Sequence, residues 1–391
     1  MRRKISLVPF IFVVTLGMLA FFAGGCKGEP TTNHLQRAAV VETSTPVPTS
    51  TPLPTPTATP TATPLPSLRR EAKKYNFWIG SSFDAGWVSD DPLLVDMVAR
   101  EFNILTPEVA MKWEVIHPER DYYDFRRGDG VVDFARLNGM LVRGHPLVWD
   151  FQLPEWVLVA YEEGSFTRDE WIDILRGHVK TVAGHYRGEI YAWDVVNEAI
   201  ADDGSLRDTI WLRTIGPEYI AMAFRWAHEA DPYALLFYND NGGEGMNAKA
   251  QAIYELVDGL IKDGVPIHGV GLQMHVALGS APAADELAQN IQRLSDLGLR
   301  VHITEMDVRL QYSSASEEQK LASQSEIYRR VFTVCLQAPG CEVFVTWGPT
   351  DRHSWIPGYT GHPDAPLLFD EFYEPKPAYD AIMEVLQKGK D

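Results

Sequence analysis

The feature that most constrains the fold of this chain is a regular alternation of short apolar segments with longer amphipathic ones. The alternation repeats eight times between residues 77 and 388. Short apolar segments are typical of buried parallel strands, and a helix after each strand returns the chain to the start of the next one. Eight such units predict an α/β fold, a single (β/α)8 TIM barrel. A doubly wound open sheet is the alternative, but no glycine-rich phosphate-binding motif follows the first strand.

The boundaries of these units follow from the apolar periodicity. The predicted strands are 77–83, 102–107, 141–149, 191–197, 234–239, 269–273, 300–304 and 343–347. The predicted helices are 91–102, 129–138, 168–186, 217–230, 247–263, 284–297, 316–337 and 376–388. We therefore assign residues 68–391 to one catalytic barrel domain, and no second domain is needed.

The first residues of the chain have the pattern of a targeting segment. Three basic residues at 2–4 precede an uncharged, mostly apolar stretch at 5–23, which predicts a signal peptide over residues 1–25. Small residues directly before Cys26 are similar to a bacterial lipoprotein cleavage box, so Cys26 is the predicted lipid attachment site. Ordinary cleavage nearby and an uncleaved N-terminal anchor are the alternatives. Each of these predicts an extracellular or cell-surface protein.

A Thr/Pro-rich segment separates the targeting segment from the barrel. Residues 43–67 contain eight Pro, nine Thr and no charged residue. Such a segment cannot form a helix or a sheet ladder, so we predict that residues 26–67 are a disordered linker. It would serve as a spacer between the envelope and the catalytic domain, or have no function of its own.

The charge of the chain limits its possible partners. Its formal net charge is −18, which argues against binding to a nucleic-acid backbone or an anionic membrane. We expect contact with a membrane only through the N-terminal anchor, and we expect a monomer. No spacing of His, Cys and Asp predicts a metal site.

Two predicted strands end in a glutamate. Glu198 follows the strand at 191–197, and Glu305 follows the strand at 300–304. In a parallel barrel the carboxyl ends of the strands share one face, where catalytic residues collect. Two carboxylates on that face suggest the apparatus of glycoside hydrolysis, in which one carboxylate supports the developing charge and a second carboxyl protonates the leaving oxygen. Two structural carboxylates are the alternative.

Other polar and aromatic residues also collect at the predicted strand ends. Asn197 is suited to bind a sugar 2-hydroxyl, and Lys112, His145 and Gln273 can bind other hydroxyls. Tryptophan rings offer flat apolar surfaces to sugar C–H faces. The remaining members of this group are Glu108, Trp149, Tyr238, Asn239, Asp240, His275, Asp307, Trp347 and Trp355. Glu108 could instead cap or pair structurally, and the tryptophans could be core residues.

From about residue 70 to 390 the chain resembles the glycoside hydrolase family 10 endo-β-1,4-xylanases. Seven motifs occur in the family's order, and together they are highly specific. They are Thr106-Pro107-Glu108 with Met111-Lys112-Trp113, Arg143 to Trp149, Trp193 to Glu198, Phe237 to Asp240, Gly271 to His275, Ile303 to Asp307, and Trp347-Gly348 with Ser354-Trp355.

The resemblance implies a retaining mechanism on xylan or xylo-oligosaccharides that needs no cofactor. Glu198 would be the acid/base and Glu305 the nucleophile, with His275 and Asp307 holding Glu305 in place. The implied substrate-binding residues are Glu108, Lys112, His145, Trp149, Asn197, Tyr238, Gln273, His275, Trp347 and Trp355. A β-1,4-glycanase of relaxed specificity and a non-catalytic surface glycan-binding protein are the alternative functions.

Two positions depart from the family pattern. Val109 stands where the family usually has an Asn that binds a sugar one subsite from the cleavage point, and Asp150 stands where His is common. Loss of the amide at Val109 removes a hydroxyl contact and could change sugar preference. Asp150 could alter the charge around the site.

The two remaining cysteines lie close together in the sequence. Cys335 and Cys341 are six residues apart and flank a Pro-Gly pair. In an exported protein this spacing predicts a disulfide that closes a turn. Two free thiols are the alternative.

Overall fold

A computed structural model describes residues 66–389 of the chain. The predicted signal peptide, the predicted lipid site at Cys26 and the linker up to residue 65 lie outside the described residues. Among the helices of residues 66–389, none combines the length and the hydropathy required to cross a bilayer.

Within the described residues, eight parallel strands close into a barrel. Nine strands are present in all, and the barrel excludes the short strand β7. The strands are β1 (Trp78–Phe83), β2 (Ile104–Pro107), β3 (Leu141–Gly144), β4 (Ala192–Asn197), β5 (Leu235–Asp240), β6 (Gly269–Leu272), β7 (His275–Ala277), β8 (Arg300–Arg309) and β9 (Cys341–Thr346). Pairing runs in order from β1 to β6, from β6 to β8, and from β8 through β9 back to β1. The predicted TIM barrel is thereby confirmed.

Helices surround the barrel and pack their apolar faces on the strands. They are α1 (Leu68–Lys73), α2 (Trp87–Asp90), α3 (Pro92–Glu101), α4 (Trp113–Ile116), α5 (Arg126–Leu137), α6 (Glu155–Glu163), α7 (Arg168–His185), α8 (Ile210–Thr214), α9 (Tyr219–Ala230), α10 (Ala248–Lys262), α11 (Ala284–Asp296), α12 (Glu317–Gln337), α13 (Ile356–Thr360) and α14 (Pro377–Lys388), with a 3-10 turn at Asp351–His353. The long helix α7 begins at a capping box, in which Thr167 and Glu170 each bond the other's backbone N–H. The major core lies between the strands and this helical layer.

Several elements differ from the prediction. The predicted strand at 141–149 ends at Gly144, and the residues that follow it form a loop along β4. The helices α1, α2, α4, α6, α8 and α13 were not predicted. All of them except α1 lie in loops between a predicted strand and a predicted helix, where the strand–helix alternation gives no signal.

The strand β8 extends well beyond the predicted 300–304. Its far half continues past the barrel because β7 pairs with it in parallel, with His275 opposite Asp307. Glu305 is therefore internal to β8 rather than at its end. This pairing brings His275, at the start of β7, beside Glu305 and Asp307 of β8.

The strands that carry the two glutamates are irregular near them. The pairing of β4 with β5 shifts between Asp194 and Val196, and the pairing of β8 with β9 shifts between Ile303 and Met306. In a regular strand, successive side chains point to opposite faces. A local shift changes which side chains point inward, so these irregularities re-aim side chains at the site.

One glycine makes room for a polar side chain inside the barrel. A Cβ built on Gly271 of β6 would lie 2.1 Å from Oδ1 of Asn239 and 2.8 Å from Cγ2 of Thr304. Any larger residue would displace Asn239 from the barrel interior. Asn239 binds Glu305, one of the two candidate catalytic carboxylates.

The predicted disulfide between Cys335 and Cys341 is present. It joins the end of α12 to the start of β9, with the two Cα atoms 5.1 Å apart. It therefore closes the turn at the end of the barrel opposite to the carboxyl ends of the strands.

Candidate active site

Glu198 directly follows β4, and its carboxyl faces the barrel mouth. Its Oε1 lies 3.1 Å from Nε2 of Gln273 and 3.4 Å from the side-chain amide of Asn197. Its Oε2 lies 3.8 Å from the guanidinium of Arg207. The side chain retains 13% exposure, so the carboxyl is accessible from the barrel mouth.

Glu305 lies deeper in the same mouth, with 5% of its side chain exposed. Asn239 donates from Nδ2 to Oε1 at 2.6 Å, and His275 Nε2 lies 3.1 Å from Oε2. Burial alone would raise the pKa of this carboxyl, but the electrostatic effect of His145 and the hydrogen bond from His275 outweigh burial. The pKa of Glu305 is therefore lowered, which suits an ionised nucleophile.

His275 connects Glu305 to a second carboxylate. Its Nδ1 lies 2.7 Å from Oδ2 of Asp307, which also accepts from Nε1 of Trp355 at 2.9 Å. Burial would lower the pKa of His275, but the charges of Asp307 and Glu305 and their hydrogen bonds outweigh burial and raise the pKa to about 10. The imidazole is therefore held as a cation that donates to both carboxylates.

A buried ion pair lies beneath Glu305 inside the barrel. Arg143 donates to both oxygens of Asp194, with a distance of 2.6 Å for one of the two bonds. His145 Nδ1 lies 2.9 Å from Oδ2 of Asp194 and 3.8 Å from Oε1 of Glu305. Desolvation opposes ionisation of Asp194, but Arg143 and His145 overcome it and the pKa of Asp194 is lowered.

The ligand atoms of His145, Asp194 and Glu305 lie within 4.8 Å of one another, a spacing that a metal ion could bridge. Arg143, however, already binds both oxygens of Asp194. A cation placed here would be next to a guanidinium, which makes this donor set a poor metal site. The cluster instead serves as a charge network that orients His145 and Glu305.

A chain of amides connects the two glutamates. Gln273 Nε2 lies 3.1 Å from the Glu198 carboxylate and 3.2 Å from the Asn197 amide. The Asn197 amide in turn lies 2.8 Å from Nδ2 of Asn239, which binds Glu305. The two carboxyls therefore face one shared space, and side-chain amides contact both of them.

Glu108 and Lys112 lie at the end of β2, on the approach to Glu305. Ser82 donates to Oε2 of Glu108 at 2.9 Å, and Lys112 Nζ lies 5.1 Å from the ring centre of Trp149. Burial raises the pKa of Glu108 to about 7, although Ser82 and Lys112 act in the opposite direction. Burial also lowers the pKa of Lys112, against the attraction of Glu108 and Glu305.

Aromatic rings line the space around the histidines. Trp347 lies edge to face with His145 at 5.0 Å and with His275 at 6.2 Å. Trp355 packs edge to face with His275 at 5.2 Å. Trp149 lies 6.4 Å from His145, and its Nε1 is 3.2 Å from the Asn197 amide. All three predicted tryptophans are thus brought to the site, where they give it flat apolar walls.

Tyr238 is the one predicted substrate-binding residue that the structure places away from the mouth. It is 0% exposed, and its hydroxyl donates to Asp240 and accepts from the backbone N of Ile200 at 3.1 Å. Because side chains alternate along β5, Asn239 points into the barrel and Tyr238 points outward to the helical layer. The prediction of a direct sugar contact by Tyr238 is therefore corrected.

The two departures from the family pattern have different surroundings. Val109 is half-buried next to Glu108. Asp150 accepts from the backbone N of Ile210 at 2.8 Å, at the start of α8, and burial raises the pKa of its carboxyl. Asp150 thus connects the loop after β3 to the first residue of α8 through this hydrogen bond.

Three site residues were not among the predicted ones: Arg143, Asp194 and Arg207. The first two lie inside predicted strands, and a charged side chain in an otherwise apolar strand is the signal that could have identified them. Arg207 lies in the loop after β4, and its Nε donates to the carbonyl of Glu198 at 2.8 Å. The sequence pattern gives no comparable signal for Arg207.

An eight-stranded barrel with two carboxyls at its mouth, amides between them and tryptophan walls is the arrangement of a two-carboxylate glycoside hydrolase. A model of glycosyl hydrolase family 10 matches residues 67–385 of the chain. The chain belongs to glycosyl hydrolase family 10.

Relatives of known activity match over nearly their whole length. Endo-1,4-beta-xylanase B of Thermotoga neapolitana is 45% identical over 325 residues, which are 82% of this chain and 92% of that protein. Beta-1,4-xylanase of Dictyoglomus thermophilum is 41% identical over 332 residues, covering 82% of this chain and 91% of that protein. The crystal structure of xylanase 10B from Thermotoga petrophila RKU-1 in complex with xylobiose has a TM-score of 0.80 at 45% identity, covering 84% and 99% of the two chains.

Proposed function

We propose that this protein hydrolyses internal β-1,4-xylosidic bonds of xylan by a retaining double displacement. The observation that carries the proposal is that Glu198 and Glu305 share one space and are linked by amides, while only Glu305 is held beside a cationic imidazole. Glu305 is thus kept ionised, and Glu198 faces the same space from the side where an acid/base residue is needed. The relatives named as xylanases and the xylobiose complex support the substrate.

In the first step the Glu305 carboxylate attacks C1 of the sugar in the cleft. The bond from C1 to the leaving oxygen breaks, and the proton of the Glu198 carboxyl moves to that oxygen. His275 and Asn239 hold one Glu305 oxygen each, which fixes the direction of attack. The product is a xylosyl ester on Glu305 and a shortened xylan chain.

In the second step a water molecule takes the place of the departed chain. Glu198, now ionised, accepts a proton from this water, and the oxygen of the water attacks C1. The ester bond to Glu305 breaks and both glutamates return to their initial states. Two inversions at C1 give a product with the β configuration of the substrate.

The other residues of the mouth bind the sugar chain. Asn197 is suited to bond the 2-hydroxyl of the reacting sugar, an interaction that strengthens in the transition state. Lys112, Gln273 and Glu108 supply further groups for hydroxyls. The indoles of Trp149, Trp347 and Trp355 provide apolar surfaces against which sugar rings pack.

We also propose that the enzyme acts outside the cell, attached through a lipid on Cys26. The basic, apolar and small-residue pattern of residues 1–26 supports this location. Replacing Cys26 with Ser should release the enzyme from the membrane fraction. Mass spectrometry of the parent protein should find an acylated Cys26 at its N-terminus, and an unmodified Cys26 would contradict the proposal.

A substrate panel tests the proposed activity. We expect the protein to release short xylo-oligosaccharides of several lengths from glucuronoxylan at early times, as an endo-acting enzyme does. Mixed-linkage β-glucan and carboxymethylcellulose should react far more slowly. Turnover of the glucans alone would contradict the assignment of xylan, and binding of xylan without turnover would contradict the assignment of an enzyme.

A further inference from the structure

The backbone at Glu198 has a conformation that residues with a side chain seldom adopt. Its φ is +57°, in the left-handed region. The backbone N donates to the carbonyl of Asn239 at 2.9 Å, and the carbonyl accepts from Nε of Arg207 at 2.8 Å. Such a conformation persists only where the surrounding contacts hold it, so the aim of the Glu198 carboxyl depends on those contacts.

Two buried side chains of β5 hold the turn that follows Glu198. The backbone N of Ile200 lies 3.1 Å from the hydroxyl of Tyr238 and 3.3 Å from Oδ2 of Asp240. The Tyr238 hydroxyl donates to the same oxygen of Asp240. Tyr238 and Asp240 are 0% and 1% exposed, and alternation along β5 directs both to the helical layer rather than into the cleft.

Asp240 is itself fixed by an ion pair. Lys249 of α10 lies 3.0 Å from Oδ1 of Asp240, and both side chains are buried. Asp240 thus uses Oδ1 for Lys249 and the backbone N of Asn241, and Oδ2 for Tyr238 and Ile200. The network ties helix α10 and strand β5 to a turn that begins two residues before Ile200.

We propose that Tyr238 and Asp240 are positioning residues for acid–base catalysis. Both accept hydrogen bonds from the backbone N of Ile200, and these bonds fix the direction of the Glu198 carboxyl. The inference rests on the proposed function, in which Glu198 is the acid/base. It gives a role to two side chains that lie near the site without facing it.

A change in the direction of the Glu198 carboxyl should slow only the steps that use Glu198. Departure of a xylose hydroxyl needs a proton from Glu198, whereas departure of dinitrophenolate does not. The second step needs Glu198 as a base for either substrate. A misdirected Glu198 carboxyl therefore lowers kcat/KM for a xylo-oligosaccharide. For a dinitrophenyl β-xylobioside it lowers kcat and KM together, so kcat/KM stays nearly the same.

The test is Tyr238→Phe, which removes one hydroxyl from the network. We expect kcat/KM for xylopentaose to fall by about tenfold or more, since a small misplacement of a catalytic group is costly. For dinitrophenyl β-xylobioside we expect less than about a twofold change in kcat/KM, with a lower kcat.

Tyr379→Phe is the matched control. The Tyr379 hydroxyl also donates to a carboxylate, Oε2 of Glu101 at 3.1 Å, and this oxygen accepts from the backbone N of Leu68 at 3.0 Å. The control thus removes a Tyr–carboxylate–amide contact far from Glu198 in the fold. Its thermal unfolding should shift about as much as that of Tyr238→Phe, while the ratio of the two kcat/KM values stays at the parent value.

A second variant removes the other acceptor of the Ile200 backbone N, the Asp240 carboxylate. Asp240→Leu combined with Lys249→Met replaces the buried ion pair with apolar groups, which proteins usually tolerate. It should give the same selective loss on xylopentaose. If both variants change kcat/KM equally for the two substrates, or change neither, the positioning role is overturned. Failure of the parent protein to hydrolyse xylopentaose would instead contradict the proposed function.

Discussion

His275 and Glu305 share a hydrogen bond of 3.1 Å between Nε2 and Oε2. The other imidazole nitrogen lies 2.7 Å from Asp307, which raises the pKa of His275 to about 10 after the opposing effect of burial. A positive charge is therefore fixed beside a carboxyl that is otherwise buried. This pair explains how Glu305 can stay ionised, and therefore nucleophilic, in a site with little water.

Replacing His275 with Gln should move the acid limb of the pH profile. The cation at His275 lowers the pKa of Glu305, so its removal raises that pKa, and the nucleophile is lost at a higher pH. We expect the acid limb of kcat/KM to move up by roughly one pH unit, which is about tenfold in activity below that limb. His185→Gln is the control, because His185 pairs with Asp129 on the surface. An unmoved limb would contradict the role of His275.

Replacing Glu198 with Ala should separate the two steps of the reaction. The first step should proceed with activated aryl xylosides, which need no acid, and turnover of xylan should fall by a factor on the order of 10²–10⁴. Azide occupies the space left by the carboxyl and attacks the xylosyl ester directly. Formation of β-xylosyl azide, detected by NMR, checks the assignment. Lack of rescue by azide would show that Glu198 is not the acid/base.

The order of the barrel strands could be predicted from the sequence because each unit carries a local signal. Parallel strands show apolar runs, and the helices between them show a helical period. Glu198 and Glu305 stood out because polar residues interrupt such runs. These signals are local in the sequence and do not depend on contacts between distant residues, so they can be recognised without the structure.

The missed features depend on contacts that are distant in sequence. The length of β8 depends on its pairing with β7, which lies beyond α11 in the chain. The inward direction of both Asp194 and Asn197 depends on the register shift between β4 and β5. Tyr238 was assigned to the cleft from the resemblance of the motif Phe237 to Asp240, although alternation along the strand sends the side chains of Tyr238 and Asn239 to opposite faces.

Replacing Glu108 with Gln should stabilise the protein at high pH. Burial raises the pKa of Glu108 from an ordinary value of 4.5 to about 7. The folded state therefore holds this proton more tightly than the unfolded state, and the free energy of unfolding falls as the pH rises from about 4.5 through 7. Gln has no proton to lose. We expect the Tm advantage of Glu108→Gln to grow by roughly 3 °C between pH 5 and pH 8.

Thermal unfolding at the two pH values measures this effect. Glu162→Gln, at an exposed position of α6, is the control for loss of a charge. An advantage for Glu108→Gln that is the same at both pH values would mean that Glu108 ionises in the folded protein as it does in water. The activity of the Glu108→Gln variant should fall at both pH values if the Glu108 carboxyl binds the sugar chain.

Removing the disulfide should weaken the fold without changing catalysis. Cys335 and Cys341 close a short loop, so the expected loss is about 2 kcal/mol in the free energy of unfolding. Thermal unfolding of the double variant Cys335→Ala, Cys341→Ala should show a lower Tm than that of the parent, and reductant should not change it. Reductant should lower the Tm of the parent towards that of the double variant. The disulfide lies at the barrel end opposite to the site, so an altered kcat/KM would contradict this account.

The most direct test of the two-carboxylate mechanism is the configuration of the first product. Proton NMR should follow the anomeric signals of xylo-oligosaccharides released by the protein from xylan, at times shorter than mutarotation. We predict that the β-anomer appears first and that the α-anomer grows in later, because Glu305 forms a covalent ester before water attacks. Early appearance of the α-anomer would mean a single displacement by water and would exclude Glu305 as the nucleophile.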